Sequence, residues 1–341
     1  MRKSTIYLLT VPLALAAVLL SCRKAPPYDV YVLGGEMNVH GVSVVTLWKN
    51  GAPFLRLSND DFLAGGNSVF VSQGNVYVAG YEMNHEENRV AVLWTNGSET
   101  RLSDEERDGA AMSVFATDDN VYVAGYEMNT NGVSVARLWR SEEVYSLSDG
   151  SFPAVANSVF AANGNVYVAG SMANSQHKEM ATLWINGVSY RLSDEKCSKA
   201  SASSVFVYGD DVYVAGFEQN AFGESTAMLW INGDPVYLST DGDDAVADNV
   251  YVSDEDVYVV GSEVRADDTR ELPIAKLWIN GMPLTLNRKN QASYAYSVSA
   301  SDDAVYAVGN EGNMAMLWKN GKAKALSDKN NVAYANSVFV Y

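Results

Sequence analysis

"NVYVAGYEMN" spans Asn75–Asn84 and recurs letter for letter at Asn120–Asn129, 45 residues later. Val76 and Val78 share one face of this stretch, while Tyr77 and Ala79 share the other. A strand that is apolar on both faces must be covered on both sides. Around the first copy, Asn67–Ser103 reads as four short β-rich runs: "NSVFV", "NVYVAG", "VAVLWTNG" and "ETRLS". They are separated by Gly, Asn, Asp and Ser, and we name them strands a, b, c and d.

The unit repeats along the chain. All seven tryptophans fall in a Leu-Trp pair of strand c: Trp48, Trp94, Trp139, Trp184, Trp230, Trp278 and Trp318. Strands c and d are joined by Asn-Gly at Asn50, Asn96, Asn186, Asn232, Asn280 and Asn320, a pair that supplies the two positive φ angles of a type I′ hairpin. The third repeat departs, with Arg140-Ser141 read at the turn. Four antiparallel strands per unit of about 45 residues, repeated seven times, predict an all-β chain folded as a seven-bladed β-propeller. The termini sharpen the expectation. The chain enters at "DVYVLGG" from Asp29, a strand b with no strand a before it, and ends in "NSVFVY", a strand a with no strand b after it. Pairing the two closes the ring: N-terminal strands b, c and d share a blade with a C-terminal strand a, and no sheet edge is left open there.

"GNVYVAGYE" (Gly74–Glu82) resembles the propeller repeat built on a DxxGNxYVTGxT core. Over Asp29–Tyr341 the chain resembles bacterial seven-bladed propeller lipoproteins of the kind common in Bacteroidetes. That resemblance implies an architecture and leaves activity open, because propellers host enzymes, binders and scaffolds alike.

The first residues read as an export signal. Arg2 and Lys3 precede an almost wholly apolar run, Ile6–Leu20, which is short for a membrane span and is interrupted by Pro12. The run ends in Leu19-Leu20-Ser21-Cys22, which resembles a lipobox, with Cys22 as the acylated residue. The expected organisation is a signal peptide over residues 1–21, a tether over 22–28 and the propeller over 29–341. No Asp follows Cys22, so the outer membrane is the expected address, reached through lipid chains alone. Cys197 is the other cysteine, which leaves no internal disulfide. Net charge is −17, and such a surface disfavours nucleic acid and anionic lipid as partners.

Candidate site residues follow from the repeat. Turns a–b and c–d share one end of the ring, whereas loops b–c and d–a share the other and hold the variation, so binding is expected there. From the strand-b Gly to the Trp is 14 residues in five blades, 17 from Gly261 to Trp278 and 9 from Gly309 to Trp318. Strand a should line the axis, and its loop-side end carries Asn67-Ser68, Ser113, Asn157-Ser158, Ser203-Ser204, Asn249, Ser297 and Asn336-Ser337. These read either as a ring of ligand-binding groups for sugar hydroxyls or peptide amides, or as caps for strand ends and loop amides. Two residues after the strand-b Gly stand Glu36, Glu82, Glu127, Met172, Glu218, Glu263 and Glu311. Such regularity points to carboxylates that accept backbone hydrogen bonds rather than to catalysis. "TDGDDAVAD" (Thr240–Asp248) reads as an acidic d–a loop without the order of a calcium loop, and His40, His85 and His177 lack ligand spacing.

Three functions fit. The first is a lipid-anchored, monomeric, non-enzymatic module that binds a glycan or an envelope protein without a cofactor or metal. The second is a polysaccharide-acting hydrolase or lyase, with Glu263, Asp267, Asp268 and Glu271 as its first suspects. The third is a structural scaffold.

Overall fold

The computed structural model describes residues 28–59, 61–141, 143–239, 243–266, 272–287, 291–328 and 332–341. These residues form seven four-stranded antiparallel sheets. Blade 1 is assembled from both ends of the chain. Strand a is Ala333–Val340, b is Val30–Met37, c is Ser43–Lys49 and d is Ala52–Arg56. Val32 pairs with Val338 across this closure, and Asp29 and Tyr341 exchange two backbone hydrogen bonds of 2.9 Å. Blades 2 to 7 follow in chain order, with strand a at Ala64–Ser72, Gly109–Ala116, Ala154–Ala162, Lys199–Tyr208, Asp244–Ser253 and Ser293–Ser301.

The Asn-Gly turns form as the repeat predicts. Asn96 and Gly97 have φ of 52° and 88°, and the Asn96 Oδ1 accepts the Val76 N–H at 2.9 Å, so one side chain makes the turn and caps strand b. In blade 3 the turn lies one residue later than the Arg140-Ser141 reading. Arg140 stays in strand c and donates from Nε to Asn120 Oδ1 at 3.0 Å, while Ser141 takes the left-handed position at φ 52°.

The core consists of seven apolar clusters, one at each interface between blades. Each Trp packs back onto the preceding blade. Trp184 of blade 4 lies on Tyr122 and Ala124 of blade 3, and Trp48 closes the ring against Tyr306 and Val308 of blade 7. A buried indole removes roughly 200 Å² from water, an upper-bound stabilisation of about 5 kcal/mol per blade interface.

The repeated strand-b Gly has a geometric cause. In every blade, strand a carries a β-bulge opposite it. The bulge turns a strand-a carbonyl onto the face of the Gly, so a Cβ at Gly125 would lie 2.1 Å from the Ala110 oxygen and one at Gly309 would lie 1.9 Å from the Tyr294 oxygen. Only Gly fits such an approach.

Candidate axial site on the loop face

The loop face is more regular than loop variation alone predicts. Five b–c loops are built on one Asx turn. Asn84 Oδ1 accepts the N–H groups of Glu86 and Asn88 at 3.0 Å each, and Asn38, Asn129, Asn174 and Asn220 do the same in their blades. The last letter of "NVYVAGYEMN" is therefore the organiser of its loop. Variation is left to blade 6 and to blade 7, where Gly312 and Asn313 alone separate strands b and c.

The strand-b glutamates serve the scaffold in different ways. Glu127 accepts the Asp104 N–H at 3.0 Å and pairs with Arg137 at 2.9 Å. Glu218 accepts the Asp194 N–H at 3.0 Å; burial raises its pKa, and that hydrogen bond opposes the rise. Glu263, a suspect catalytic acid, is buried against Lys276 Nζ at 2.8 Å, with both side chains 9% exposed. Glu82 makes no direct ion pair among the described residues. Burial first, then the charge of Glu99, push its pKa up to about 7 against the pull of Arg101. The other hydrolase suspects, Asp267, Asp268 and Glu271, lie outside the described residues, as does the lipidation candidate Cys22.

The Asn and Ser positions of strand a separate into two rings. The lower one is a closed circle of seven hydrogen bonds between blades. Ser68 accepts the Val114 N–H at 3.3 Å, Ser113 that of Val159 at 3.2 Å, Ser158 that of Val205 at 3.1 Å and Ser204 that of Val250 at 3.4 Å. Asn249 takes the Val298 N–H at 3.0 Å, Ser297 that of Val338 at 3.1 Å and Ser337 that of Val69 at 3.1 Å. These groups satisfy backbone donors at the blade contacts. Beneath them Phe339, Phe70, Phe115, Phe160, Phe206 and Tyr251 form an arc of rings with centroids 4.4–4.8 Å apart, and Ser299 takes the seventh place. The axial space between the two layers measures about 110 Å³.

The upper ring consists of the seven bulge residues: Asn336, Asn67, Met112, Asn157, Ser203, Asp248 and Tyr296. Each is half-buried and directly follows a Gly or Ala that is buried. Sevenfold character breaks here, on blades 6 and 7. Asp248, read from sequence as the end of an acidic loop, lies inside strand a. Strand a lines the axial space, the Asp248 side chain on it is half-buried, and the protein crowded around it pushes its pKa up to about 7 by desolvation. Tyr296 is pushed up to about 12, chiefly by burial and then by the Asp248 charge. Its ring stacks on Tyr294, with centroids 5.9 Å apart and planes within 5°. Asp248, Tyr294 and Tyr296 were invisible as a site in the sequence, because the bulge that aligns them with Asn67 leaves no mark in residue order.

Other side chains near the loop face are occupied structurally. Arg89 lies 5.8 Å from both the Tyr81 and Tyr126 rings and is held by Asp108. His85 and His177 pack edge-on against Phe62 and Phe152. A cleft of about 270 Å³ between blades 3 and 4, lined by Tyr122, Leu138, Arg140 and Tyr145, opens where blade 3 lacks its Asn-Gly turn.

Fold and axial geometry together define a seven-bladed propeller closed by its two termini. No protein-family model matches the chain, and no curated protein sequence matches it. Solved structures do. A puromycin-hydrolyzing peptidase of Mycobacterium tuberculosis aligns with a TM-score of 0.58 and 11% identity, over 87% of this chain and 51% of that one. The β-propeller domain of the Trilobed protease from Pyrococcus furiosus, described as an open velcro topology, aligns at 0.54 and 11% identity over 89% and 95%. An acylaminoacyl peptidase of Pyrococcus horikoshii aligns at 0.53 and 12% identity over 89% and 51%. The chain thus spans about half the length of the two peptidases, and the likeness is one of fold.

Proposed function

We propose that this protein is a lipid-anchored, non-enzymatic binding module of the cell envelope that presents its loop face to a glycan or an envelope protein, with the axial mouth as the point of contact. The observation that carries the reading is the break in the upper ring. Where the other five blades carry an Asn, Ser or Met at the bulge, blades 6 and 7 place a desolvated carboxyl beside two stacked tyrosines. A group kept at the cost of desolvation is a functional candidate. The anchor rests on Cys22 and the apolar run before it. Of the hydrolase suspects, Glu263 is neutralised by Lys276, which disfavours it as the second carboxylate that glycoside cleavage requires.

A thermal-shift screen of the full chain against glycans, peptides and peptidoglycan fragments tests this reading, because a ligand of the folded state raises the midpoint by mass action. A shift abolished by Ser203→Trp, which plugs the mouth, supports it. Cleavage of any library member by the purified protein would sink the non-enzymatic reading.

A further inference from the structure

The chemistry of the upper ring narrows the ligand. Three of its members are asparagines whose amide NH₂ groups are already committed to the next blade. Asn67 donates to the Ala111 oxygen at 2.8 Å, Asn157 to the Ala202 oxygen at 3.0 Å and Asn336 to the Gly66 oxygen at 2.9 Å. Asn67 and Asn157 direct their second N–H to Met112 Sδ at 3.6 Å and Ser201 Oγ at 3.3 Å, which leaves their carbonyl oxygens, whereas Asn336 keeps one N–H beside its carbonyl oxygen; no described residue donates to the three oxygens. Asp248 adds a carboxyl group, likewise without a hydrogen-bond donor among the described residues. No basic side chain occupies any of the seven positions. The mouth is therefore rich in acceptors whose partners must come from outside the protein.

A ring of neutral carbonyls, one acid and two stacked aromatic faces distinguishes between cations. Calcium favours several carboxylates, and among the described residues no group of three His, Cys, Asp or Glu gathers anywhere. A primary ammonium suits the ring better. It carries three donors, needs one counter-charge and is attracted to tyrosine faces. We propose that the axial mouth is a receptor for a primary ammonium group, borne by an amino sugar or by a lysine side chain. This inference rests on the axial reading above and specifies its chemistry. Binding supplies the positive charge that the crowded Asp248 lacks, and the asparagine carbonyls around the ring offer acceptors to the ligand's other N–H and O–H groups.

Calorimetric titration of the full chain at pH 7.5 tests it with four probes: a glucosamine tetramer, its N-acetylated form, tetralysine, and tetralysine acetylated at every Nε. Each probe is also run on Asp248→Asn and Tyr296→Leu. One of the two amines is expected to bind at least tenfold tighter than its acetylated counterpart and to lose tenfold or more on Asp248→Asn. The amine that does so identifies the source of the ammonium. The chain carries a net charge of −17, so general attraction to cations is barely altered by one neutralisation, and a tenfold loss localises binding to Asp248. Equal binding of amine and acetylated probes, with loss on Tyr296→Leu, overturns the ammonium inference and leaves the axial site standing. Amine binding unchanged by both substitutions overturns the inference and the axial reading together. No binding of either amine overturns the inference, and the broader screen above then decides the axial reading.

Discussion

The Ser337 hydroxyl accepts a hydrogen bond from the backbone N–H of Val69 at 3.1 Å, across a separation of 268 residues. It completes a circle in which every blade holds one amide of the next. The first and last blades are thereby joined by the same device as all the others, in addition to the strand pairing within blade 1.

Ser337→Ala leaves the Val69 amide buried without an acceptor, at a cost of about 1–3 kcal/mol. Ser113→Ala should cost a similar amount, because Val159 loses its partner in the same way. Urea unfolding measures both. A change below about 0.5 kcal/mol in each would mean that the circle contributes nothing.

Gly125→Ala should destabilise the protein by about 1–3 kcal/mol or more, since its Cβ would meet the Ala110 carbonyl. The bulge must flatten to admit it, and that displaces Met112 in the upper ring. Thermal unfolding reads the loss; a neutral substitution would remove the steric explanation for the repeated glycine.

Trp184 is fully buried, but its indole N–H has no hydrogen-bond partner among the described residues. Its value is therefore its volume. Trp184→Phe should cost about 1–2 kcal/mol and Trp184→Ala about 3–5 kcal/mol in denaturant titrations. Equal losses from the two would point instead to an interaction of the indole nitrogen.

The carboxyl of Asp248 makes stability depend on pH with a definite sign. Its folded-state pKa of about 7 lies above the ordinary value of 3.8, so the folded protein binds the extra proton between them. That contribution is lost as pH rises from about 4 to about 7, and above that range the ionised group is destabilising. Tyr296, pushed up to about 12, stays neutral throughout this window. Asp248→Asn should match wild type near pH 4 and exceed it by on the order of 2–4 kcal/mol at pH 8. Glu82 adds a slope of the same sign to both proteins and cancels in the comparison. Parallel stability profiles would show that Asp248 is solvated normally.

Acylation at Cys22 predicts that the protein partitions with membranes in the expressing bacterium and that Cys22→Ser releases it. Fractionation and mass spectrometry of the N-terminal peptide check both. An unmodified Cys22 in the mature protein would remove the anchor from the proposal.

Architecture was legible because it is written in residue order. Trp spacing, Asn-Gly turns and the split blade at Asp29 and Tyr341 each report a local constraint that recurs. The site was only half legible. Asn67 and Ser68 are adjacent letters, yet across the bulge Asn67 donates to the Ala111 carbonyl while Ser68 accepts the Val114 amide, and no periodicity announces that division. Asp248 was read as loop because it closes a run of acidic residues, whereas pairing of Ala247 with Gly261 extends the strand through it. Among the strand-b glutamates, Glu127 and Glu218 accept backbone N–H groups as expected, but the cations Lys276 and Arg137 come from strand c, at a position that holds Val92 or Met228 in other blades.

The position of a bound ligand tests the central claim most directly. A crystal structure of the full chain with the tightest-binding probe of the screen should show that probe at the axial mouth, within about 2.7–3.2 Å of the Asp248 carboxylate and beside Tyr296. A ligand seated instead in the cleft between blades 3 and 4, with the mouth empty, would contradict the account.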